Sequence, residues 1–197
     1  PPAPAAPPAP AAPPVPQRGR LVGREAEMER VRALLENTRQ GNGQVLFVLG
    51  EQGIGKTELL HEVERRLSAT EVRVVCTCCV ATPATALYFP WEQVLRQLTD
   101  WPATDEQALD DRPHWTPGHH FAHQRRICQA VMSAAQHTPV VILLEDLHRA
   151  DVRVLEVLHL LTTQICNTKV MILATVRKHK RPREEGLSVR RTLGRIL

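Results

Sequence analysis

The sequence predicts an α/β fold, a three-layer core in which helices cover both faces of a parallel, doubly wound sheet. Short apolar runs of strand length alternate with segments whose apolar residues recur at helical spacing. The first strand is followed by a glycine-rich loop of the phosphate-binding type, and the third strand ends in two acidic residues. In such a fold the binding site lies at the carboxyl ends of the strands, and we expect the site there.

The chain begins with a segment of low complexity. Residues 1–16 contain nine Pro, six Ala and one Val. Because proline fixes φ and lacks a backbone donor, this composition predicts an extended spacer. We therefore expect a Pro/Ala-rich interdomain linker at residues 1–20, with a further domain before it. Residues 21–197 are expected to form one core that is truncated at its C-terminal end.

Four strands and five helices are predicted between residues 21 and 177, and an apolar stripe at residues 188–197 predicts a helix that begins a further element. The strands are expected where apolar runs occur, at residues 45–49, 72–79, 140–144 and 170–176. The runs at 45–49, 140–144 and 170–176 predict buried strands. The helices are expected where apolar residues lie three and four apart, at about residues 25–38, 58–67, 91–98, 120–136 and 152–163. Residues 99–118 are polar and contain three prolines, so this stretch is expected to be irregular.

The loop after the first strand carries the strongest chemical signal. Residues 50–57 read G-E-Q-G-I-G-K-T and match the pattern G-x-x-x-x-G-K-[ST] at every fixed position. Glycines let successive backbone N–H groups surround phosphates at a helix N-terminus. Lys56 can reach the β- and γ-phosphates, and the Thr57 hydroxyl can hold Mg²⁺. The loop therefore predicts binding of a nucleoside triphosphate or diphosphate. The predicted contact residues are Gly50, Gly53, Ile54, Gly55, Lys56, Thr57 and Glu58.

The third strand ends in the acidic pair Glu145 and Asp146. Carboxylates at this point lie beside the phosphate-binding loop, where they can hold Mg²⁺ and orient a water molecule. The strand register assigns Glu145 to the metal, together with Thr57, and Asp146 to the water. Asp151 follows a few residues later and either caps the next helix or takes part in the site.

The fourth strand ends in Arg177. A cation at this position could sense the γ-phosphate from the side opposite the loop. A strand-terminal arginine is also common in proteins without such a role, so both interpretations stay open on the residues alone.

Composition and spacing argue against several other classes of protein. No run approaches the roughly 18 apolar residues that span a membrane, and no signal peptide is visible, so we expect a cytoplasmic protein without a membrane partner. The cysteines number five, an odd count that does not suggest a disulfide framework, and they are expected to be buried thiols. Four histidines lack the pattern of a helical metal site and are expected to be solvated, namely His114, His119, His120 and His123.

The positive charge of the chain is local. The net charge is +4, but residues 177–197 hold eight Lys or Arg against two Glu, a charge of +6 that leaves −2 on the rest of the chain. No aromatic residues interleave with this basic segment. A general nucleic-acid-binding domain is therefore not indicated.

Four ordered motifs resemble one known family. L-V-G-R-E at 21–25, the loop continuing to Leu60, L-L-E-D-L-H-R-A-D at 143–151 and L-A-T-V-R at 173–177 are similar to the STAND branch of AAA+-related ATPases, the signal-transduction ATPases with numerous domains. The resemblance implies that ATP or ADP binds with Mg²⁺ and that Arg177 acts as a sensor. It also implies that Val22, Gly23, Arg24 and Glu25 flank the adenine, with Arg24 near the nucleotide. Arg149 departs from the family, which usually has Trp there.

The linker directly before L-V-G-R-E further resembles large bacterial regulators of antibiotic synthesis, of the SARP type. This resemblance implies a transcriptional activator that meets DNA and RNA polymerase only through domains outside this chain. The expected partners of the core are the nucleotide, the other domains of the parent protein and, as one option, further copies of itself.

Two classes of function follow from these patterns. The first is a regulatory switch that hydrolyses ATP slowly and reports ATP or ADP to neighbouring domains. The alternative is an autonomous ATPase or a kinase-like enzyme. The spacer favours the switch, and no motif for a second substrate is evident.

Overall fold

The computed structural model of the chain describes residues 23–80, 87–99 and 115–178. The Pro/Ala-rich linker, Val22, His114, the basic segment beyond Lys178 and most of the stretch predicted to be irregular lie outside the described residues.

Nine helices and strands of the described residues correspond to the predicted ones, with ends that differ by a few residues. The helices are α1 (Glu25–Arg39), α2 (Lys56–Leu67), α3 (Phe89–Leu98), α4 (Pro117–Ala134) and α5 (Val152–Gln164). The strands are β1 (Gln44–Gly50), β2 (Arg73–Cys78), β3 (Val140–Glu145) and β4 (Val170–Arg177). Within the ranges that the structure covers, no helix combines the length and hydropathy of a membrane span.

The four strands form one parallel sheet in the order β1–β4–β3–β2. From β1 the chain crosses to the far edge of the sheet at β2 and then returns through β3 to β4. All four strands are parallel, so their carboxyl ends lie together at one end of the sheet. The predicted class, a three-layer α/β core with a parallel doubly wound sheet, is confirmed.

Helices cover the sheet on both faces. On one face the apolar residues of α1 and α2 pack against alternate residues of the two central strands, namely Val141, Leu143, Met171 and Leu173. On the other face α3, α4 and α5 cover the intervening residues, namely Val140, Ile142, Leu144, Val170, Ile172 and Ala174. Burial on both faces explains why β3 and β4 are continuous apolar runs rather than alternating ones.

The first strand is less buried than its sequence predicts. Residues 44–48 are half-buried and the side chain of Leu49 is 57% exposed. Among the described residues β1 pairs with β4 alone, and it therefore lies at an edge of the sheet. The prediction of a buried first strand is wrong for this reason.

The expectation of solvated histidines is wrong for His120, whereas His119 is exposed. His120 is buried, and its Nδ1 lies 3.0 Å from the hydroxyl of Tyr88. The ring of His123 lies 3.6 Å from the buried carboxylate of Glu92. Burial, together with the nearby Arg153 guanidinium, lowers the pKa of His120. In the part of the chain that the structure describes, no group of three or more His, Cys, Asp or Glu residues is placed to hold a metal ion.

Candidate functional site

The loop between β1 and α2 is shaped by its glycines. Gly55 caps α2 with φ of 87°, and Gly53 has φ of 79°; both angles lie in the left-handed region that glycine adopts without steric cost. At Gly50 an added Cβ would lie 2.8 Å from Cγ2 of Ile54, so a larger residue there would require the Ile54 side chain to move. The sequence pattern thus has a direct steric basis.

The N-terminus of α2 faces this loop. Its cap is a glycine, and no side chain within the described ranges caps the helix. The first backbone N–H groups of a helix have no partner inside the helix and carry a partial positive charge. This end of α2 can therefore accept an anionic group such as a phosphate. Glu58 lies exposed in the first turn of the helix.

The ammonium group of Lys56 lies over the loop. Its Nζ donates to the carbonyl oxygens of Gly50 at 3.0 Å and Glu51 at 2.8 Å. The same Gly50 oxygen accepts the backbone N–H of Lys178 at 2.9 Å. One carbonyl oxygen therefore joins the lysine of the loop to the end of β4.

Thr57 and Glu145 meet across the site. The Thr57 hydroxyl donates a hydrogen bond to Oε1 of Glu145, although 88 positions separate the two residues in the sequence. A hydroxyl and a carboxylate are oxygen donors of the kind that Mg²⁺ binds, so the chemistry of this pair fits that cation. On its other side, the Glu145 carbonyl oxygen accepts the backbone N–H of Cys79 at 2.8 Å, which fixes the end of β3 to β2.

Asp146 has an unusual backbone. Its φ of 54° and ψ of 42° are left-handed, and it is the one non-glycine residue in the described ranges with positive φ. Holding such a residue costs about 1–3 kcal/mol. Its backbone N–H donates to Oγ1 of Thr175 at 3.0 Å, and its carboxylate lies 3.7 Å from Nδ1 of His148. Sequence reasoning missed Thr175, although a hydroxyl inside an apolar strand was a visible signal.

Arg177 and Arg24 approach the loop from two directions. Arg177 ends β4 and is in register with Gly50 of β1, so it lies one strand spacing from the start of the loop. The Arg24 guanidinium donates to the carbonyl oxygen of Ile54 at 2.7 Å and also binds Glu27, whose pKa it lowers. The structure thus brings both predicted arginines to the loop. Gly23 directly precedes Arg24.

Asp151 lies directly before α5 and acts as its N-terminal cap. Its side chain accepts the backbone N–H of Arg153 at 2.8 Å and caps α5. Of the two alternatives, the structure favours the cap.

The thiols near the site are not activated. Burial raises the pKa of Cys76 to about 12, and burial with the Glu145 carboxylate raises the pKa of Cys78. Thiols with a raised pKa stay protonated near neutral pH and react slowly. Cys79 and Cys128 are buried as expected. Cys76 and Cys78 are half-buried and Cys166 is exposed, so the expectation of buried thiols is wrong for Cys166.

Comparisons with known proteins identify related sequences and folds. A sequence model of the AAA ATPase domain family matches residues 20–173. An uncharacterized protein of Rhizobium meliloti (strain 1021) is 34% identical over 62 residues, which are 32% of this chain and 6% of that protein. The chain therefore spans a small part of the length of this relative.

Solved structures with a similar arrangement come from Drosophila. A chain in a structure of Drosophila ORC bound to DNA gives a TM-score of 0.47 at 15% identity, over 83% of this chain and 87% of that chain. A chain in a structure of Drosophila ORC bound to GC-rich DNA and Cdc6 gives a TM-score of 0.41 at 16% identity, over 84% of this chain and 56% of that chain.

Proposed function

Because the chain belongs to the AAA ATPase domain family and is thus a nucleotide-binding ATPase domain, we propose that it binds ATP and ADP with Mg²⁺ at residues 50–57 and acts as a slow regulatory switch. One observation carries the location of the site. The contact between Thr57 and Glu145 joins the phosphate-binding loop to the acidic end of β3. The N-terminus of α2 and the Lys56 ammonium supply positive charge at the same place.

The chemistry that we propose is hydrolysis of the terminal phosphoanhydride. A water oxygen attacks the γ-phosphorus of ATP, the bond to the bridging oxygen breaks, and the products are ADP and phosphate. Asp146 orients the water and accepts its proton. Thr57 and Glu145 would hold Mg²⁺, which when bound neutralises charge on the β- and γ-phosphates. Lys56 contacts the same phosphates as a second cation.

The switch itself depends on the two arginines. Arg24 precedes α1 and already contacts the loop through Ile54; we propose that it lies beside the nucleotide, with Val22 and Gly23 at the adenine. Arg177 lies one strand from the loop and senses the γ-phosphate. ATP and ADP then differ in what they contact at the end of β4.

We propose that residues 1–20 are an interdomain linker and residues 21–197 a STAND-type core within a longer cytoplasmic protein. The four ordered motifs and the Pro/Ala-rich segment support a bacterial transcriptional activator of secondary metabolism, of the SARP type. In this proposal other domains carry the contacts with DNA and RNA polymerase, and the core contacts those domains or further copies of itself.

Two measurements on the purified chain test this proposal. Calorimetric titration with ADP and with a non-hydrolysable ATP analogue, each with Mg²⁺, should show binding of both. Steady-state turnover of ATP should lie well below about 10 s⁻¹, the median for enzymes. If the chain binds neither ADP nor the ATP analogue, the proposal is refuted. Turnover at or above that median, or phosphoryl transfer to an added acceptor, would favour the autonomous ATPase or kinase-like enzyme.

A further inference from the structure

We propose that Thr175 is a positioning residue, whose hydroxyl fixes the backbone of Asp146 and so holds that carboxylate at the nucleotide. The inference rests on the proposed function, in which Asp146 orients the attacking water. Thr175 itself does not touch the nucleotide in this proposal. It acts through the single hydrogen bond that its Oγ1 accepts from the Asp146 N–H at 3.0 Å.

The position of this bond in the sheet explains its effect. The ladder between β3 and β4 ends at the pair of Leu144 and Ala174. Beyond that pair the β3 chain turns away into the left-handed residue Asp146. Its N–H therefore bonds to the Thr175 side chain, two positions beyond the last ladder pair on β3. The hydroxyl thus stabilises the turn at the point where regular pairing stops.

The environment of Thr175 shows that the hydroxyl has a specific role. The residue is 1% exposed and is flanked by apolar neighbours in the otherwise apolar β4. A hydroxyl buried in such surroundings is unfavourable unless it is hydrogen-bonded, and valine would fill the same volume in a central strand at lower cost. The hydroxyl oxygen of Thr175 meets this condition by accepting the hydrogen bond from the Asp146 N–H.

Thr175 also connects two parts of the proposed switch. Side chains at positions two apart on a strand lie on the same face, so Thr175 and Arg177 share a face of β4. A shift of this strand end would reach Asp146 through the hydroxyl and the loop through the bond from Lys178 to Gly50. The γ-phosphate sensor and the water-orienting carboxylate are therefore mechanically linked through one strand.

Three variants test the inference. Thr175→Val removes the acceptor and keeps the shape, Thr175→Ser keeps the hydroxyl, and Thr38→Val is the matched control. Thr38 is fully buried, and its hydroxyl donates to the Leu34 carbonyl oxygen at 2.9 Å within α1, away from the site. Two readouts are used: exchange of the Asp146 N–H with solvent by NMR in the nucleotide-free chain, and ATP turnover together with Mg²⁺·ADP affinity.

Thr175→Val should speed exchange at Asp146 and lower turnover, each by about 5- to 100-fold, while ADP affinity stays within about twofold. Thr175→Ser should show the exchange rate and the turnover of the wild type, and Thr38→Val should leave the exchange rate at Asp146 and the turnover unchanged. Unchanged exchange at Asp146 in Thr175→Val, or equal losses of turnover and ADP affinity, would overturn the inference. If the wild-type chain binds no nucleotide, the proposed function fails, and the exchange rate alone then decides whether Thr175 fixes Asp146.

Discussion

At the scale of single residues, Lys56 shows how the fold prepares the site. Two carbonyl oxygens of the loop hold its ammonium group in place, at 2.8 and 3.0 Å. A long flexible side chain normally loses much rotamer freedom when it binds a ligand. Because Lys56 is already held over the loop, a phosphate can meet its charge at a smaller entropic cost.

Lys56→Ala should therefore weaken the binding of ADP and of an ATP analogue. We expect a loss of about 1.5–3 kcal/mol, the scale of a hydrogen bond to a charged group. Isothermal titration calorimetry measures the loss directly. Lys169→Ala is the matched control, because Lys169 directly precedes the amino end of β4 and the loop lies at the carboxyl ends of the strands. Equal affinities for wild type and Lys56→Ala would contradict the assignment of the loop.

The two acidic residues after β3 should respond differently to loss of charge. Glu145→Gln should raise the Mg²⁺ concentration needed for turnover, because the carboxylate that meets Thr57 is removed. Asp146→Asn should lower turnover and leave nucleotide affinity unchanged, because it affects only the water. A Mg²⁺ titration of ATP turnover in both variants separates the effects. The opposite pattern would mean that the two carboxylates have exchanged roles.

The sequence predicts some site residues much better than others. The loop and the strand ends follow from a local pattern whose spacing is fixed by the chemistry of phosphate binding, so Lys56 and Glu145 could be located before the structure. The contact between Arg24 and Ile54, and that between Thr175 and Asp146, depend on how distant elements are aligned in three dimensions. No local pattern encodes those alignments, and the structure was needed to find them.

At the scale of helices and strands, periodicity located the elements but not their polar interior. The layer of α3, α4 and α5 contains Trp91, whose indole N–H donates to the Val154 carbonyl oxygen at 2.9 Å, and the buried pair of Tyr88 and His120. Apolar spacing predicts which face of a helix is buried. It does not tell which polar residues beside that face will find partners, and the burial of His120 could not be predicted for that reason.

The buried His120 should make the stability of the fold depend on pH. Burial lowers the pKa of His120 below its ordinary value of 6.5, so as the pH falls below about 6.5 the unfolded chain takes up a proton before the folded chain does. The contribution of His120 to stability is therefore complete above pH 6.5 and decreases below it. Urea unfolding midpoints measured between pH 7.5 and 5 should fall more steeply in the wild type than in His120→Asn.

His137→Asn controls for the loss of any histidine, because His137 is exposed beyond the end of α4. His123 and Glu92 also face this region, and they are unchanged in both variants, so the difference between the two pH profiles isolates His120. The prediction is wrong if His120→Asn and wild type lose stability in parallel over this range.

At the scale of the whole molecule, contacts from three strands and two helices meet at the carboxyl ends of the strands. The Gly50 carbonyl oxygen accepts from both Lys56 and Lys178, Thr57 binds Glu145, and Arg24 reaches the loop from the start of α1. Two of the exposed large apolar side chains of the described residues also belong to this region, namely Leu49 at the end of β1 and Ile54 in the loop.

The last prediction concerns what the nucleotide does at this end of the sheet. A ligand shifts a two-state protein only by its different affinities for the two states, with typical coupling of about 1–3 kcal/mol. If Arg177 senses the γ-phosphate, ATP and ADP should leave the proposed multidomain protein in different states of assembly or DNA binding. Arg177→Ala should bind both nucleotides and lose that difference. Arg73→Ala is the control and should keep the difference, because Arg73 is exposed at the amino end of β2, away from the carboxyl ends of the strands. Light scattering and DNA titrations with ADP and with a non-hydrolysable ATP analogue measure the two states. Indistinguishable states in the wild type would refute the switch and favour an autonomous ATPase.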